Sequence, residues 1–461
     1  MKKIKLTTII TIILFIIITN LTIPISILDE IWNFSYAKNI SQGLLPYKDF
    51  NMITTPLSAF INSIPLKLFG QKLYIHRITY IALFITYIYI ITKILKLLNI
   101  NSKKTNNYLL ILTYLLINFT YNDYNFLNLI LSTIIIYFEL KNKNSTNKYD
   151  ILIGITCSLI LLTKQTTGIF YAFLSILIPI IANKNMKKSI IRLISMAPSI
   201  IIFLLFLLKN NILNDFVDLT ILGLKTFKKT GTEYSFNIYN LTILIIIISI
   251  IIYLIKNIIK EKRNYNNLII LLYSLISLSL NYPLLDFTHF IISIVPTSIY
   301  FINNNKFKLK INTKAITITF IIILNFINIK NIIEYKNKIT INHEFSAYQY
   351  LILPLNDLKE ITDFIKNNKS KVYILDKNAI IYTTAINTYN KYFDMPLPGN
   401  IGKVGEKQMI KTLKKEKNIL LIYDITDIKT DLPKLYKYIN KNYKKANKIN
   451  AYNIYKKINN K

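Results

Sequence analysis

The sequence predicts an all-α polytopic membrane domain followed by a small extracytoplasmic α/β domain. Three observations carry this expectation: repeated apolar runs, lysines confined to alternate connections, and a change of pattern near residue 330. Runs such as LTTIITIILFIIITNLTIPISIL hold the roughly 20 apolar residues that a bilayer core requires. A helix satisfies its own backbone groups in hydrocarbon, so each run is read as a helix. Of the 461 residues 52% are hydrophobic, and the mean hydropathy is +0.37.

About eleven transmembrane helices follow, near residues 6–28, 73–95, 107–120, 124–140, 150–163, 168–183, 189–208, 238–256, 265–281, 288–303 and 314–329. The first follows MKKIK without a small-residue cleavage site, so it is read as retained. Cytoplasmic loops collect Lys and Arg. One alternate set of connections holds Lys2, Lys3 and Lys5, then Lys93 to Lys104, Lys141 to Lys148, Lys184 to Arg192, Lys256 to Arg263 and Lys306 to Lys314. The short loops between them, TYNDYN, KQTTG and NYPLLDFT, contain only Lys164. The N-terminus is therefore expected to be cytoplasmic and the C-terminus outside, in a multi-pass protein of the cytoplasmic membrane.

The net charge of +34, from 57 Lys and Arg against 23 Asp and Glu, is explained by these connections. Nucleic acid is excluded as a partner. A single cysteine, Cys157, excludes an internal disulfide or a thiolate metal site.

Two outer segments are long. Residues 29–72 contain IWNFSYAKNI and PLSAFINSIPLKLFG, expected as short helices along the membrane surface. Residues 209–237 carry Asp215, Asp218 and Glu233 among aromatics. The membrane domain is assigned to 1–329 and the soluble domain to 330–461. In the latter, NDLKEITDFIKNN reads as an amphipathic helix with Leu358, Ile361, Phe364 and Ile365 on one face. KVYILD and NILLIYD read as buried strands.

Candidate chemistry gathers on the expected outer side. Asp29 and Glu30 stand where the first apolar run ends, and partial desolvation there raises carboxylate basicity; the same residues also serve to end a helix. Asp49 lies between Tyr47 and Phe50 in a loop punctuated by Gly43, Pro46 and Pro56, an aromatic and carboxylate mixture common in sugar sites. Asp123 sits in a tight turn, where Asn and Asp are ordinary. Lys164 follows an uninterrupted apolar run on the side that otherwise avoids lysine; at a bilayer centre it costs roughly 2.5–3.5 kcal/mol, much less at an interface. A fixed cation there suits a lipid phosphate. Tyr282, Asp286 and His289 close the series, the last two spaced to meet on a helix, and Arg77 beside His76 adds a cation.

The run from Asp29-Glu30 through AKNISQGLLPYKDFNMITTPLSAFINSIPLKLFG to YIHR resembles the bacterial GT-C glycosyltransferases, relatives of protein O-mannosyltransferases and of the lipid A aminoarabinose transferase. LTKQTTG is similar to the family's LTK-x-x-x-G segment, NYPLLDFTHF to its later external loop, and MPLPGNIG to a C-terminal segment of its Gram-positive-like members. The resemblance covers residues 1 to about 300 and implies transfer of a sugar, with inversion, from a polyprenyl-phosphate donor to an acceptor glycan, lipid or protein outside the cell. It further implies Asp29 as general base, Glu30 as its helper in orienting the acceptor, and Lys164 as holder of the leaving lipid phosphate. Arg77 and His289 are added as further phosphate contacts, and Asp49 and Asp123 as lining of the sugar and acceptor pocket. The metal-binding pattern of the oligosaccharyltransferase branch is not found, so no obligatory metal or other cofactor is expected; membrane lipids are the remaining partner. The competing readings are a lipid-linked glycan flippase, which needs polar residues along several spans, a polysaccharide polymerase, which uses a late arginine-bearing loop, and a non-catalytic scaffold. The spans read as mostly bare of charge, and residues 209–237 contain no Arg.

Overall fold

The computed structural model describes residues 6–22, 28–142, 147–224, 226, 238–261, 264–281, 285–304, 341–342, 347–348, 355–415 and 417–458. In chain order the first helices are α1 (Leu6–Thr22), α2 (Leu28–Ser41), α3 (Leu57–Phe69), α4 (Leu73–Leu97) and α5 (Ser102–Phe119). Then come α6 (Tyr124–Lys141), α7 (Lys148–Leu161), α8 (Gln165–Asn183), α9 (Met186–Lys209) and α10 (Leu213–Val217), the last continued by a wide turn over Asp218–Leu222. After them run α11 (Ile238–Lys260), α12 (Tyr265–Ser277), α13 (Phe287–Ser293) and α14 (Val295–Asn303). The first ten expected spans each hold a helix; the eleventh, 314–329, lies outside the described residues.

Two compact units share these elements. The first comprises Met1–Ile23, Arg77–Phe203 and Tyr234–Lys338; the second comprises Pro24–His76, Leu204–Glu233 and Ile339–Lys461.

In the first unit α1 packs on α5, α6 and α8 on α7, and α12 on α6, α8, α11 and α14. Four helices of the chain, Leu73–Leu97, Gln165–Ala182, Met186–Lys209 and Asn240–Lys260, are long and apolar enough to cross a membrane. Isoleucines and leucines lie bare along them, among them Ile194, Ile201 and Ile202 on α9 and Ile245, Ile248 and Ile252 on α11. An apolar surface of that extent belongs in lipid, and the chain is a multi-pass membrane protein.

Charge is buried near the ends of three of these spans. Glu139 on α6, Asp150 on α7 and Arg192 on α9 are all buried. The Arg192 guanidinium donates through Nη1 and Nη2 to the two Glu139 oxygens at 2.6 and 3.0 Å, and through Nε to Asp150 Oδ1 at 2.8 Å. Tyr265 and Tyr273 of α12 donate to Glu139, and Asn142 donates to Asp150. Gly154 permits the approach, because a Cβ there would overlap the Arg192 carbonyl oxygen. One charge cluster thus ties four helices.

The second unit contains α2 packed on α3 and, past residue 340, an α/β module. Its elements are the two-residue strands β1 (Ile341–Asn342) and β2 (Ala347–Tyr348), then α15 (Leu355–Asn367), β3 (Lys371–Leu375), α16 (Ala379–Ile386), α17 (Gly405–Lys415) and β4 (Asn418–Ile422). The module ends with α18 (Ile425–Asp431), α19 (Pro433–Asn442), β5 (Tyr443–Ile449) and β6 (Tyr452–Lys457). The larger sheet runs β3-β4-β6-β5, with β3 and β4 parallel and the other pairs antiparallel. Leu420, Ile422, Met409, Leu413, Leu435 and Ile439 fill the space between sheet and helices. Both expected strands and the amphipathic helix are present.

Within this unit the stretch that carries Asp215 and Asp218 holds the module. Asp215 pairs with Lys391 at 3.0 Å, and the Asp218 carboxylate accepts from Lys403 N and Val404 N. Gly402, at φ +70°, leaves the space that carboxylate fills. Glu233 lies outside the described residues.

Of the first expected span, 6–28, the structure describes α1 (Leu6–Thr22); residues 23–27 lie outside the described residues. Asp29 and Glu30 fall in the first turn of α2, where carboxylates suit the N-terminal dipole.

Removing the Arg192 side chain strands two buried carboxylates, a loss of about 3–5 kcal/mol. Arg192→Met is therefore expected to lower the thermal unfolding midpoint in detergent sharply. Adding Glu139→Gln and Asp150→Asn should restore much of it. A single variant melting with the wild type removes the cluster from this role.

Candidate active site

Two groups of candidate residues form, one in each unit. In the first unit Asp123 caps α6, its Oδ1 accepting from Phe126 N at 2.7 Å. Its Oδ2 accepts from Asn125 Nδ2 at 3.0 Å, and Asn125 Oδ1 in turn accepts from Lys164 Nζ at 2.8 Å. Lys164 stands immediately before α8, and its ammonium lies 5.4 Å from the centre of the Tyr124 ring. An Asp–Asn–Lys relay therefore fixes the lysine, leaving it two further N–H bonds to offer.

Asp286 caps α13 in the same way. Its Oδ1 accepts from His289 N at 2.8 Å, and its Oδ2 meets His289 Nδ1 at 2.7 Å. A ligand would then be met by Nε2. Burial would raise the Asp286 carboxyl, but the His289 ring and the helix N–H groups hold it below its ordinary value.

Burial also governs Lys164, lowering it to about 8 against the opposing charges of Asp123 and Asp286. The ammonium is thus lost above about pH 8 rather than near 10.5. Between those values the unfolded chain holds a proton that the folded chain has released, so this group's contribution to stability rises with pH across that window. Arg77 is buried and donates to the Asn20 carbonyl oxygen of α1 at 3.3 Å. Tyr282 lies outside the described residues.

In the second unit Asp29 is half-buried and Glu30 buried, on adjacent positions about 100° apart round α2. Asp29 shares a face with Trp32 and Tyr36, three and seven residues on. Asp49 closes a turn, its Oδ2 accepting from Leu45 N at 2.7 Å. That turn holds Tyr47 at φ 70°, fully buried, with its hydroxyl donating to the Thr54 carbonyl oxygen.

Beyond the Asp29 turn the same face of α2 opens on a small pocket. Trp32, Tyr36 and Asn39 form one wall; Phe50 and Asn51 form another; Asp394 and Asn400 come from the C-terminal module. Asp394 accepts two bonds from Asn390 N at 3.1 and 3.2 Å, yet burial raises it to about 7.

Sequence reasoning passed over Asn125, Asp394, Asn400 and the Arg192 cluster. A carboxylate inside an apolar run, as in YFELK, was a usable signal for the last. Asn125 stood two residues from a chosen aspartate, but nothing linear joined it to Lys164, 39 residues away.

With lysines reductively methylated by isotope-labelled reagent, one resonance is expected to titrate at about 8 and to be absent from Lys164→Arg. Asp286→Asn should move it to lower pH. A Lys164 signal titrating with the bulk lysines refutes the desolvated site.

No protein-family profile and no curated protein matches the chain. Among solved structures, the chain is similar to the crystal structure of ArnT from Cupriavidus metallidurans in the apo state, at 9% identity over 97% of each chain, with a TM-score of 0.48.

Proposed function

We propose that the chain is an inverting glycosyltransferase, moving a sugar from a polyprenyl-phosphate donor to an acceptor on the outer face of the membrane. The observation that carries this reading is Lys164, a half-buried lysine at the head of an apolar helix, fixed by Asn125 and Asp123. Such a cation suits an anion delivered by a lipid, and the DE and LTK resemblances support the same chemistry.

In the proposed step the acceptor hydroxyl attacks the anomeric carbon from the face opposite the leaving group. Asp29 takes the hydroxyl proton as the new C–O bond forms. The bond from the anomeric carbon to phosphate oxygen breaks, its electron pair leaving with polyprenyl phosphate. Lys164 steadies the charge that gathers there, which matters most where water is scarce. Glu30 orients the acceptor, and His289 gives a second contact to the phosphate. The step balances without a divalent metal.

A flippase would need a polar path through the spans. The charges buried there, Glu139, Asp150 and Arg192, are instead bonded to one another.

Purified protein given labelled polyprenyl-phosphate sugars and membrane extract is expected to release polyprenyl phosphate, with or without EDTA. Asp29→Asn should lower kcat by about 10²–10⁴ with unfolding unchanged. Lys164→Ala should lower kcat/KM for the donor and flatten the loss of activity above about pH 8. If the wild type leaves every donor intact, the transferase reading fails.

A further inference from the structure

The pocket beside Asp29 contains more unpaired hydrogen-bonding capacity than a structural interior tolerates. Asn39 Oδ1, Asn51 Nδ2 and Asn400 Oδ1 are buried without a hydrogen-bond partner from the protein among the described residues. All three residues are more than nine-tenths buried, at 1, 7 and 4% exposure. Each orphaned group carries a desolvation cost of about 1–3 kcal/mol, so three at one place call for a ligand. Two come from one stretch, Asn39 on α2 and Asn51 soon after it, and Asn400 comes from the C-terminal module after α16.

The chemistry of the walls narrows the ligand. No Lys, Arg or His lines the pocket, and Asp394 does, so an anion is disfavoured. Two acceptors and one donor suit hydroxyl groups, which both give and receive. Trp32, Tyr36 and Phe50 add flat apolar surface, the usual companion of a sugar ring's C–H face. The free interior, about 10 Å³, admits one hydroxyl-sized group. One hydroxyl seated there accepts from Asn51 Nδ2 and donates to one of the two amide oxygens, with the rest of its ring outside the pocket.

We propose that α2, the stretch that follows it and the C-terminal module together hold one hydroxyl group of a neutral sugar, next to Asp29 on the same helix face, so that the module is a substrate-binding element. The identity of that sugar as substrate rests on the transferase reading; the binding itself does not. Near neutral pH the Asp394 carboxyl, raised by burial to about 7, is present in both forms and can donate or accept.

Trp32 is the chain's single tryptophan and lines the pocket, so its emission reports occupancy directly. Full-length protein in detergent is titrated with methyl glycosides of glucose, mannose, galactose and arabinose, with glycerol as control. At least one glycoside is expected to change Trp32 emission saturably, and Asn400→Ala and the isosteric Asp394→Asn should each weaken it at least tenfold. Both variants are first matched to wild type in unligated emission and cooperative melting; if one fails, the other decides. The inference is overturned if no glycoside acts, if glycerol acts equally well, or if emission follows pH alone, the mark of an ordered water only. Sugar binding without transfer sinks the transferase reading and spares this one; transfer without a Trp32 response does the reverse.

Discussion

A guanidinium buried in protein is either fully paired or ruinous, and that constraint organises the first unit. Arg192 divides its donors between Glu139 and Asp150, and the tyrosines of α12 complete the shell. The helices involved must approach at set distances for every bond to close. Gly154 is the geometric condition for that approach. Apolar packing alone would allow these helices to slide, because lipid competes equally for leucine and isoleucine surface. Directional pairing removes the freedom, and because Arg192 Nη1 also donates to the Ser175 carbonyl oxygen of α8, both α6 and α8 are fixed with the residues that precede them, Asp123 and Lys164.

The same economy recurs at the candidate residues. Asp123 and Asp286 each use one oxygen to cap a helix and the other to orient a neighbouring side chain, Asn125 and His289. A side chain so divided has little rotational freedom, and the partner inherits its order. Lys164 gains a defined position and, through burial, a proton held less tightly than in water.

The helices were legible because length and apolarity act locally: ten expected spans coincide with helices, and the strands at 371–375 and 418–422 follow from short β-branched and aromatic runs. The carboxylates at 123 and 286 and the lysine at 164 were legible as charges out of place. Their partners were not. Asn125, Asn39, Asn51 and Asn400 are ordinary in a chain rich in asparagine, and only folding distinguishes a pocket amide from a turn amide. Asp394 likewise becomes unusual only when Thr383, Tyr36 and the Asn390 backbone surround it.

The second unit is assembled from stretches separated by hundreds of residues. Lys38 on α2 donates to the Thr384 carbonyl oxygen at 2.8 Å, and the turn after α10 is held by the backbone at 403–404. Synthesis runs from the N-terminus, so α2 emerges with its aromatic face uncovered and waits until most of the protein has been made. Biogenesis therefore contains a long interval in which this helix depends on lipid or a chaperone for cover. Ribosome stalling before residue 380 would leave it a target for quality-control proteolysis.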